Sequence, residues 1–271
     1  MPVLKWVGGK RQLLDNLNKL KPKKFTAYCE PFLGGGAFLF NLQPTVAYVN
    51  DINEDLINVY EIIRDDVENL IRELNKFENT SEKFYEIRDW DREKDGYLKR
   101  TNLEKAARTL YLNKTCYNGL FRVNNSGEFN SPFGNYKNPN IVNAPTLRAV
   151  SNYFRENEIH FTSGDYEEVL DNLPKGSFVY FDPPYDPVSD SANFTGYSRG
   201  GFSQDDQIKL REACDTLDAK GIKFMLSNSD TKFIRKQYAK YDIKVVQAKR
   251  LINSNSAKRG EVNEVIVRNY E

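Results

Sequence analysis

Hydrophobic and polar positions along this chain alternate between two patterns: short apolar runs, typical of strands, and longer segments with helical spacing. In the longer segments, apolar residues recur every three or four positions and predict amphipathic helices at residues 56–74, 103–114 and 207–220. Strands that alternate with helices in this way predict an α/β fold with a mostly parallel sheet. The strands themselves are predicted from short apolar runs at residues 26–30, 46–50, 159–162, 178–181, 222–227 and 241–247, with 264–269 completing a terminal hairpin.

The stretch from about residue 77 to residue 145 interrupts this alternation. It is polar and rich in aromatic residues, and it contains one well-formed helix followed by loops that Asn, Gly and Pro punctuate. We therefore predict that a smaller domain, residues 57–145, is inserted into the domain that carries the sheet. Residues 1–56 and 146–271 would together form that larger domain.

Composition narrows the class of protein. The chain has 271 residues, of which 39% are hydrophobic and 13% aromatic, so it can bury a sizeable core. No apolar run approaches the roughly 20 residues needed to cross a bilayer, and the first residues lack a secretory pattern, so we predict no membrane partner. Cys29, Cys116 and Cys214 are widely spaced and accompany a single histidine. They predict neither a disulfide framework nor a zinc site, and a reducing cytoplasm suits them.

The charge pattern leaves a nucleic-acid partner open. The formal net charge is only +1, but DNA binding requires a local basic surface rather than a basic total. Basic residues cluster at 19–24 and again at 249–259. Either segment could contact phosphates, and either could equally be a solvated loop.

Asp182, Pro183, Pro184 and Tyr185 directly follow the strand predicted at 178–181. Ligands of open α/β sheets bind beyond the carboxyl ends of the strands. An ordinary Pro-Pro turn is the structural alternative. In the chemical interpretation, the Asp182 carboxylate and the Pro183 carbonyl accept hydrogen bonds from a planar amino group and turn its lone pair towards a methyl donor, while Tyr185 stacks on the base. Such a transfer needs no metal.

Other predicted strand ends carry residues suited to a ligand. The run 30–37 contains three consecutive glycines, which allow close approach of a ligand to the backbone, although it matches neither the dinucleotide fingerprint nor the P-loop. Asp51 ends the next strand and either holds a ribose hydroxyl or caps a helix. Asp165 offers a further acid at the same edge. Near the N-terminus, Lys10 follows a Gly-Gly turn and either meets an anionic ligand group or belongs to a simple helix start.

Taken together, these segments resemble the Dam-type DNA adenine-N6 methyltransferases (D12 class, alpha group). The resemblance implies a seven-stranded Rossmann-like methyltransferase sheet with an inserted, mainly helical DNA target-recognition domain. It also implies methyl transfer from S-adenosyl-L-methionine to adenine N6 in double-stranded DNA by base flipping, with GATC as the commonest target. The matching motifs occur in the family's order: KWVGGK (5–10), PFLGGGAF (31–38), NDIN (50–53), YNGLFRVN (117–124), GEFNSPFGNYK (127–137), GDY (164–166), DPPY (182–185) and SNS (227–229).

The resemblance also implies a role for individual residues. Leu120 would insert into the duplex and Arg122 would pair with a guanine. Asn135 stands where many relatives have Arg, which puts one phosphate contact in doubt. The methyl donor would be bound by Trp6, Lys10, Phe32, Gly34, Gly36, Asp51, Asp165 and Asp182. DNA would be contacted by Tyr117, Asn118, Leu120, Arg122, Asn124, Pro132 and Tyr136, although residues 117–121 by themselves also suit an aromatic core.

Several alternatives stay open on the sequence alone. Cytosine N4, an RNA adenine and a protein glutamine amide pose the same chemical problem as adenine N6. A non-catalytic DNA-binding protein that keeps a methyltransferase shell is a further alternative. The family context allows a cognate restriction endonuclease as a partner in the same system. The oligomeric state is open, a monomer included.

Overall fold

The strands of the sheet follow the order expected from an alternating α/β chain with a reversed end. The computed structural model describes residues 3–6, 12–188, 201–249 and 261–271. Within that part of the chain, seven strands form one sheet: β1 (Tyr28–Glu30), β2 (Val46–Asp51), β3 (Glu158–Ser163), β4 (Phe178–Phe181), β5 (Lys223–Ser229), β6 (Asp242–Lys249) and β7 (Glu261–Arg268). Their order across the sheet is β3-β2-β1-β4-β5-β7-β6. β1 to β5 are parallel, whereas β7 runs antiparallel between β5 and β6. The predicted seven-stranded, mostly parallel α/β sheet is confirmed.

Helices connect these strands and fill the middle of the chain. The long predicted helices at 103–114 and 207–220 are confirmed with ends shifted by a few residues. In chain order the helices are α1 (Leu14–Leu20), α2 (Ala37–Leu42), α3 (Glu54–Asp65), α4 (Val67–Leu74), α5 (Ser81–Arg88), α6 (Lys94–Lys99), α7 (Asn102–Thr115), α8 (Ala144–Glu156), α9 (Tyr166–Leu170), α10 (Gln204–Ala219) and α11 (Lys232–Gln237). In the described residues, no helix is both long enough and apolar enough to cross a membrane.

Two predictions about helices are wrong. The stretch 56–74 forms two helices, because Asp66 between α3 and α4 leaves the helical region (φ −145°, ψ 45°) while the apolar spacing continues across it. The middle region contains the short helices α5 and α6 in addition to α7. Thr80 caps α5 and Thr101 caps α7, each through a side-chain oxygen that accepts from a backbone N–H.

Two hydrophobic cores pack on the two faces of the sheet. Neighbouring residues of β1 point to opposite faces, so Tyr28 belongs to one core and Cys29 to the other. The core that contains Tyr28 continues into the middle region, where it includes Leu110 of α7 and Phe129. The sheet and the helical middle region therefore share one continuous core.

The strand order places the ligand-competent ends side by side. From β1 the chain proceeds outward to β2 and β3, and from β4 it proceeds outward to β5 on the other side. The order therefore reverses between the adjacent strands β1 and β4, which is where open α/β sheets bind ligands. The carboxyl ends of β1, β2 and β4 bring Glu30, Asp51 and Asp182 to this edge.

Candidate active site

The loop after β4 begins with Asp182, whose carboxylate accepts a hydrogen bond from Ser227 Oγ at 3.2 Å. Ser227 Oγ also lies 3.0 Å from the Tyr180 hydroxyl. The Tyr185 hydroxyl donates to Glu264 Oε2 at 3.0 Å. Burial, then the nearby carboxylates of Asp182 and Glu264, raise the pKa of Tyr185, so its phenol stays neutral and keeps donating.

Polar side chains from two other elements hold the backbone of this loop. Gln207 of α10 donates to the Pro184 carbonyl at 2.8 Å, and Asn228 of β5 accepts from the Asp186 N–H at 3.0 Å. Asn228 also donates to Gln207 Oε1 at 3.0 Å. Both side chains are buried, and Pro183 is buried beside them. Sequence reasoning missed Gln207, whose only signal is a polar residue on the apolar face of its helix.

The glycine loop between β1 and α2 is tightly covered. Gly34 and Gly36 have φ values of +49° and +62°, in the left-handed region that side chains rarely adopt. A Cβ on Gly34 would lie 2.8 Å from Trp6 Cδ1, so the indole closes directly over the loop. Trp6 in turn stacks on Phe121 with 5.2 Å between ring centroids. The sequence could not predict this cover, because Trp6 comes from a distant segment.

Asp51 joins the end of β2 to the glycine loop. Its carboxylate accepts from the Gly34 N–H at 2.8 Å and from the Asn53 N–H at 3.0 Å. Burial raises the pKa of Asp51, and the two backbone donors partly oppose that rise. Asn53 caps α3 by accepting from the Leu56 N–H at 3.0 Å. The helix-cap alternative for Asp51 is therefore wrong.

Asn50 ties the ends of three strands together, a role that sequence reasoning missed. This buried amide donates to the Pro31 carbonyl at 3.2 Å and to the Gly164 carbonyl at 3.1 Å. It thereby joins the loops that follow β1 and β3 to β2. The exposed Asp165 caps α9 by accepting from the Glu167 N–H at 2.9 Å.

Phe32 lies in an aromatic group beside the same loops. Its ring centroid is 5.1 Å from that of Tyr166 and 5.9 Å from that of Phe202. The Phe32 side chain is half-buried, so part of it faces the edge of the sheet. Its contact with the methyl donor stays a prediction, as does that of Asp165.

Glu30, the last residue of β1, is a buried carboxyl group that sequence reasoning did not single out. It accepts from the Tyr28 hydroxyl at 2.7 Å and from the Leu39 N–H at 3.1 Å. The second bond caps α2, which starts at a glycine without a capping side chain. Burial is the main cause that raises the pKa of Glu30 to about 8. The bonds from Tyr28 and Leu39 oppose the rise, and Asp182 and Asp51 add to it.

The predicted DNA-contacting residues lie along one irregular arm. Residues 122–130 form a hairpin, called here the 122–130 hairpin, which is closed by the pairing of Val123 with Phe129. Arg122 donates to Asn130 Oδ1 at 2.7 Å. The Asn124 side chain accepts from two N–H groups of the turn, at 3.0 Å each, and donates to Glu128 Oε2 at 2.8 Å.

The segment before the hairpin presents its residues differently. Tyr117 is 57% exposed, and Asn118 adopts a left-handed turn conformation (φ 57°). Leu120 is half-buried, whereas Phe121 is buried. An aromatic core therefore includes Phe121 but not Tyr117.

The last predicted DNA contacts lie after the hairpin. Pro132 is exposed and its carbonyl accepts from the Tyr117 N–H at 2.9 Å. Lys5 Nζ lies 5.0 Å from the ring centroid of Tyr136. Lys10 and residues 250–259 of the second basic segment lie outside the described residues. The DNA contacts themselves stay predictions.

Comparisons with known proteins identify the family of the chain. The family model of D12 class N6 adenine-specific DNA methyltransferases matches residues 6–252. The type II methyltransferase M1.LlaDCHI of Lactococcus lactis subsp. cremoris is 43% identical over 99% of this chain and 95% of its own length. The type II methyltransferase M.MjaIII of Methanocaldococcus jannaschii is 40% identical over 99% of each chain. The DNA adenine methylase of Escherichia coli (strain K12) is 35% identical over 97% of this chain and 93% of its own length. The predicted resemblance is confirmed: the chain belongs to the D12 class N6 adenine-specific DNA methyltransferases.

Proposed function

We propose that this adenine-specific DNA methyltransferase transfers a methyl group from S-adenosyl-L-methionine to N6 of an adenine flipped out of duplex DNA, at GATC sites. The observation that carries the proposal is the convergence of Asp182, Asp51 and the glycine loop at one edge of the sheet. The site for the adenine amino group and the site for the methyl donor are thereby adjacent. The methyl group can be transferred between them without movement of the sheet.

The residues at this edge fit the methyl donor. Gly34 and Gly36 have left-handed φ values that let the chain bend tightly at this edge, where a ligand can approach the backbone. Asp51 is half-buried at the sheet edge, where its carboxylate can accept hydrogen bonds from ribose hydroxyls. When bound, the donor supplies an electrophilic methyl group on a sulfonium centre. Trp6, Phe32, Gly34, Gly36, Asp51, Asp165 and Asp182 would hold it, together with Lys10.

The residues after β4 prepare the nucleophile. The adenine amino group is planar because its lone pair is delocalised into the ring. Acceptance of its two N–H bonds by the Asp182 carboxylate and the Pro183 carbonyl favours a tetrahedral nitrogen whose lone pair points outward. Tyr185, fixed through Glu264, stacks on the base. Ser227, Gln207 and Asn228 keep this loop in place, so the geometry exists before the base arrives.

Duplex DNA as the substrate is supported by the arm around the 122–130 hairpin. Arg122 and Asn124 can read base edges in a groove, and Leu120 can fill the space that a flipped base leaves. Flipping follows from the chemistry, since N6 cannot reach the site inside a duplex.

Several relatives carry the name DNA adenine methylase, which supports a Dam-like target. Two others are named type II methyltransferases, which supports a restriction-modification setting with a cognate endonuclease. We expect a cytoplasmic location, where such DNA is found.

Asp182→Ala tests the catalytic assignment. Methyl transfer to a GATC duplex should fall by on the order of 100- to 1,000-fold or more, because one of two acceptors for the amino group is lost. Affinity for the same duplex should persist. Transfer of labelled methyl groups followed by nucleoside identification measures the first quantity, and a band-shift titration measures the second. The exposed Asp171→Ala serves as the matched control.

Three outcomes would contradict parts of the proposal. Undiminished transfer by Asp182→Ala would remove this residue from the chemistry. Methylcytosine as the product would exclude adenine N6 as the acceptor. Equal methylation of GATC and scrambled duplexes would exclude GATC as the target.

A further inference from the structure

Three charged side chains meet beside the 122–130 hairpin. Asp91 and Arg92 lie in the 3-10 turn Asp89–Arg92, between α5 and α6, and Arg108 lies in α7. Arg108 Nη2 is 2.6 Å from Asp91 Oδ2, and Arg92 Nη1 is 2.6 Å from Asp91 Oδ1. Arg108 is only 2% exposed, and the Asp91 carboxylate compensates the cost of burying its positive charge. These three residues are called here the Asp91 cluster.

The Asp91 cluster holds both backbone polar groups of Phe129. The Phe129 N–H donates to Asp91 Oδ2 at 2.7 Å, and the Phe129 carbonyl accepts from Arg92 Nη2 at 2.9 Å. Phe129 pairs with Val123 across the hairpin, so these two bonds act on its outer edge as a third strand would. An isolated two-stranded hairpin is marginal in water, and hydrogen bonds to charged groups are among the stronger ones. The cluster therefore supplies support that the hairpin lacks by itself.

The cluster is itself anchored to the helices. Arg108 Nε donates to the Ile87 carbonyl at 3.0 Å, at the end of α5. The Arg108 guanidinium lies 5.1 Å from the ring centroid of Tyr97. The Tyr97 hydroxyl donates to Asp55 Oδ1 at 3.0 Å, in the first turn of α3. The hairpin is thus connected to the helix that starts just after Asp51.

We infer that the Asp91 cluster positions the 122–130 hairpin for recognition of the DNA sequence. The inference rests on the proposed base-reading role of Arg122 and Asn124. Arg122 bonds to the side chain of Asn130, the residue directly after Phe129, so a displacement of Phe129 moves the partner of Arg122. Because base reading depends on hydrogen-bond geometry, a loosened hairpin should distinguish cognate from altered sites less well.

Arg92→Ala is the most informative variant. Asp91→Ala would leave the Arg108 charge buried without its carboxylate and endangers folding, whereas Arg92 is half-buried. The measurement is kcat/KM for a GATC duplex relative to duplexes altered at one base outside the target adenine. We expect this ratio to fall at least about 10-fold in Arg92→Ala and to recover partly in Arg92→Lys. Arg148→Ala, which removes an exposed two-bond pair with Glu68, should leave it unchanged.

Hydrogen exchange of the DNA-free protein gives a second, independent readout. In Arg92→Ala the amides of Asn124, Phe129 and Asn130 should exchange at least about 10-fold faster than in the wild type, while those of β4 keep their rates. A merely structural role would lower kcat/KM equally on all duplexes. An unchanged ratio, or unchanged exchange in the hairpin, overturns the inference.

Variants of the hairpin itself separate this inference from the proposed function. If Arg122→Ala and Asn124→Ala lose discrimination while Arg92→Ala retains it, the positioning role is overturned and the base-reading role stands. If Arg122→Ala and Asn124→Ala retain full discrimination, the base-reading role fails, and the inference fails with it.

Discussion

Glu30 is a carboxyl group that its surroundings keep from ionising. It is 3% exposed at the end of β1, and its pKa of about 8 means that it is mostly protonated at neutral pH. Asp182 and Asp51 lie at the same edge of the sheet, and the proposed function uses both as hydrogen-bond acceptors. A third negative charge would repel both. A neutral Glu30 can still accept from Tyr28 and cap α2.

Glu30→Gln is expected to change how stability depends on pH. The folded wild type holds a proton that the unfolded chain releases between the ordinary pKa of 4.5 and about 8. The contribution of Glu30 to the free energy of unfolding is therefore most favourable below pH 4.5 and declines as the pH rises to about 8, by at most about 1.4 kcal/mol per pH unit. Urea unfolding at several pH values in this window measures the free energy of unfolding. That of Glu30→Gln should increase relative to that of the wild type as the pH rises.

The exposed Glu156→Gln provides the matched control, because it removes a carboxylate from the end of α8. Across the same pH range, Glu30→Gln should gain more stability relative to the wild type than Glu156→Gln does. A Glu30→Gln variant that follows the wild type at every pH would mean that Glu30 is ionised in the folded protein.

At the residue scale, position along a strand is predictable and partners are not. The sequence places Asp182 and Asp51 at one sheet edge because both directly follow apolar runs. Their partners, Ser227 and the Gly34 N–H, come from elements that only the tertiary fold brings near. Burial of Glu30 was likewise not predictable, since the sequence does not show which neighbours enclose a polar residue at the end of a strand.

At the scale of elements, the first turn of α10 helps to hold the loop after β4 in place. Ser203 and Asp206 form a capping box, in which the Ser203 hydroxyl accepts from the Asp206 N–H at 3.2 Å. Gln207, which holds the Pro184 carbonyl, follows at the next position. Fraying of the first turn of α10 would therefore loosen the loop that carries Asp182.

Ser203→Ala is expected to lower the free energy of unfolding by about 1 kcal/mol, because a capping oxygen is lost. It should also reduce kcat, since the position of Gln207 depends on the first turn. Thr216→Ala in the same helix is the control: that hydroxyl bonds the Glu212 carbonyl one turn back, a contact that contributes little. Urea unfolding and steady-state methylation measure the two effects. Equal losses in both variants would argue against a special role of the cap.

Strong local signals predicted elements well, and weak ones did not. The strand at Phe178–Phe181 is found as expected because four consecutive apolar residues suit the buried centre of a parallel sheet. The break at Asp66 was missed because Ile63 and Val67 keep a helical spacing across it. The predicted loops end at about residue 145, yet α8 already begins at Ala144, because Pro145 suits the first turn of a helix, where its missing N–H costs nothing.

At the scale of the whole molecule, one hydrophobic core spans the sheet and the middle region. Tyr28 of β1, Leu110 of α7 and Phe129 of the hairpin all belong to it. The predicted domain boundaries at residues 56, 57, 145 and 146 stay a prediction. A shared core nevertheless implies that neither part retains its packing when the other unfolds.

We therefore expect one cooperative unfolding transition. The two tryptophans report on different places, since Trp6 covers the glycine loop and Trp90 packs against Phe77 in the middle region. Trp90→Phe keeps only Trp6 as a fluorescent probe, and Trp6→Phe keeps only Trp90. In each variant, the urea midpoint measured by tryptophan fluorescence should equal the midpoint measured by circular dichroism. Separate midpoints for the two probes within one variant would show that the middle region unfolds independently.

The burial of every cysteine makes the enzyme suited to site-specific labelling. Cys29, Cys116 and Cys214 are all 0% exposed, and burial raises the pKa of each thiol, that of Cys116 to about 12. Reagents that attack thiolates should leave the folded chain unmodified. A cysteine introduced at the exposed Ser126, in the turn of the 122–130 hairpin, would then be the one reactive thiol. A fluorophore attached there could follow the approach of the hairpin to DNA in real time, with every native residue but one retained.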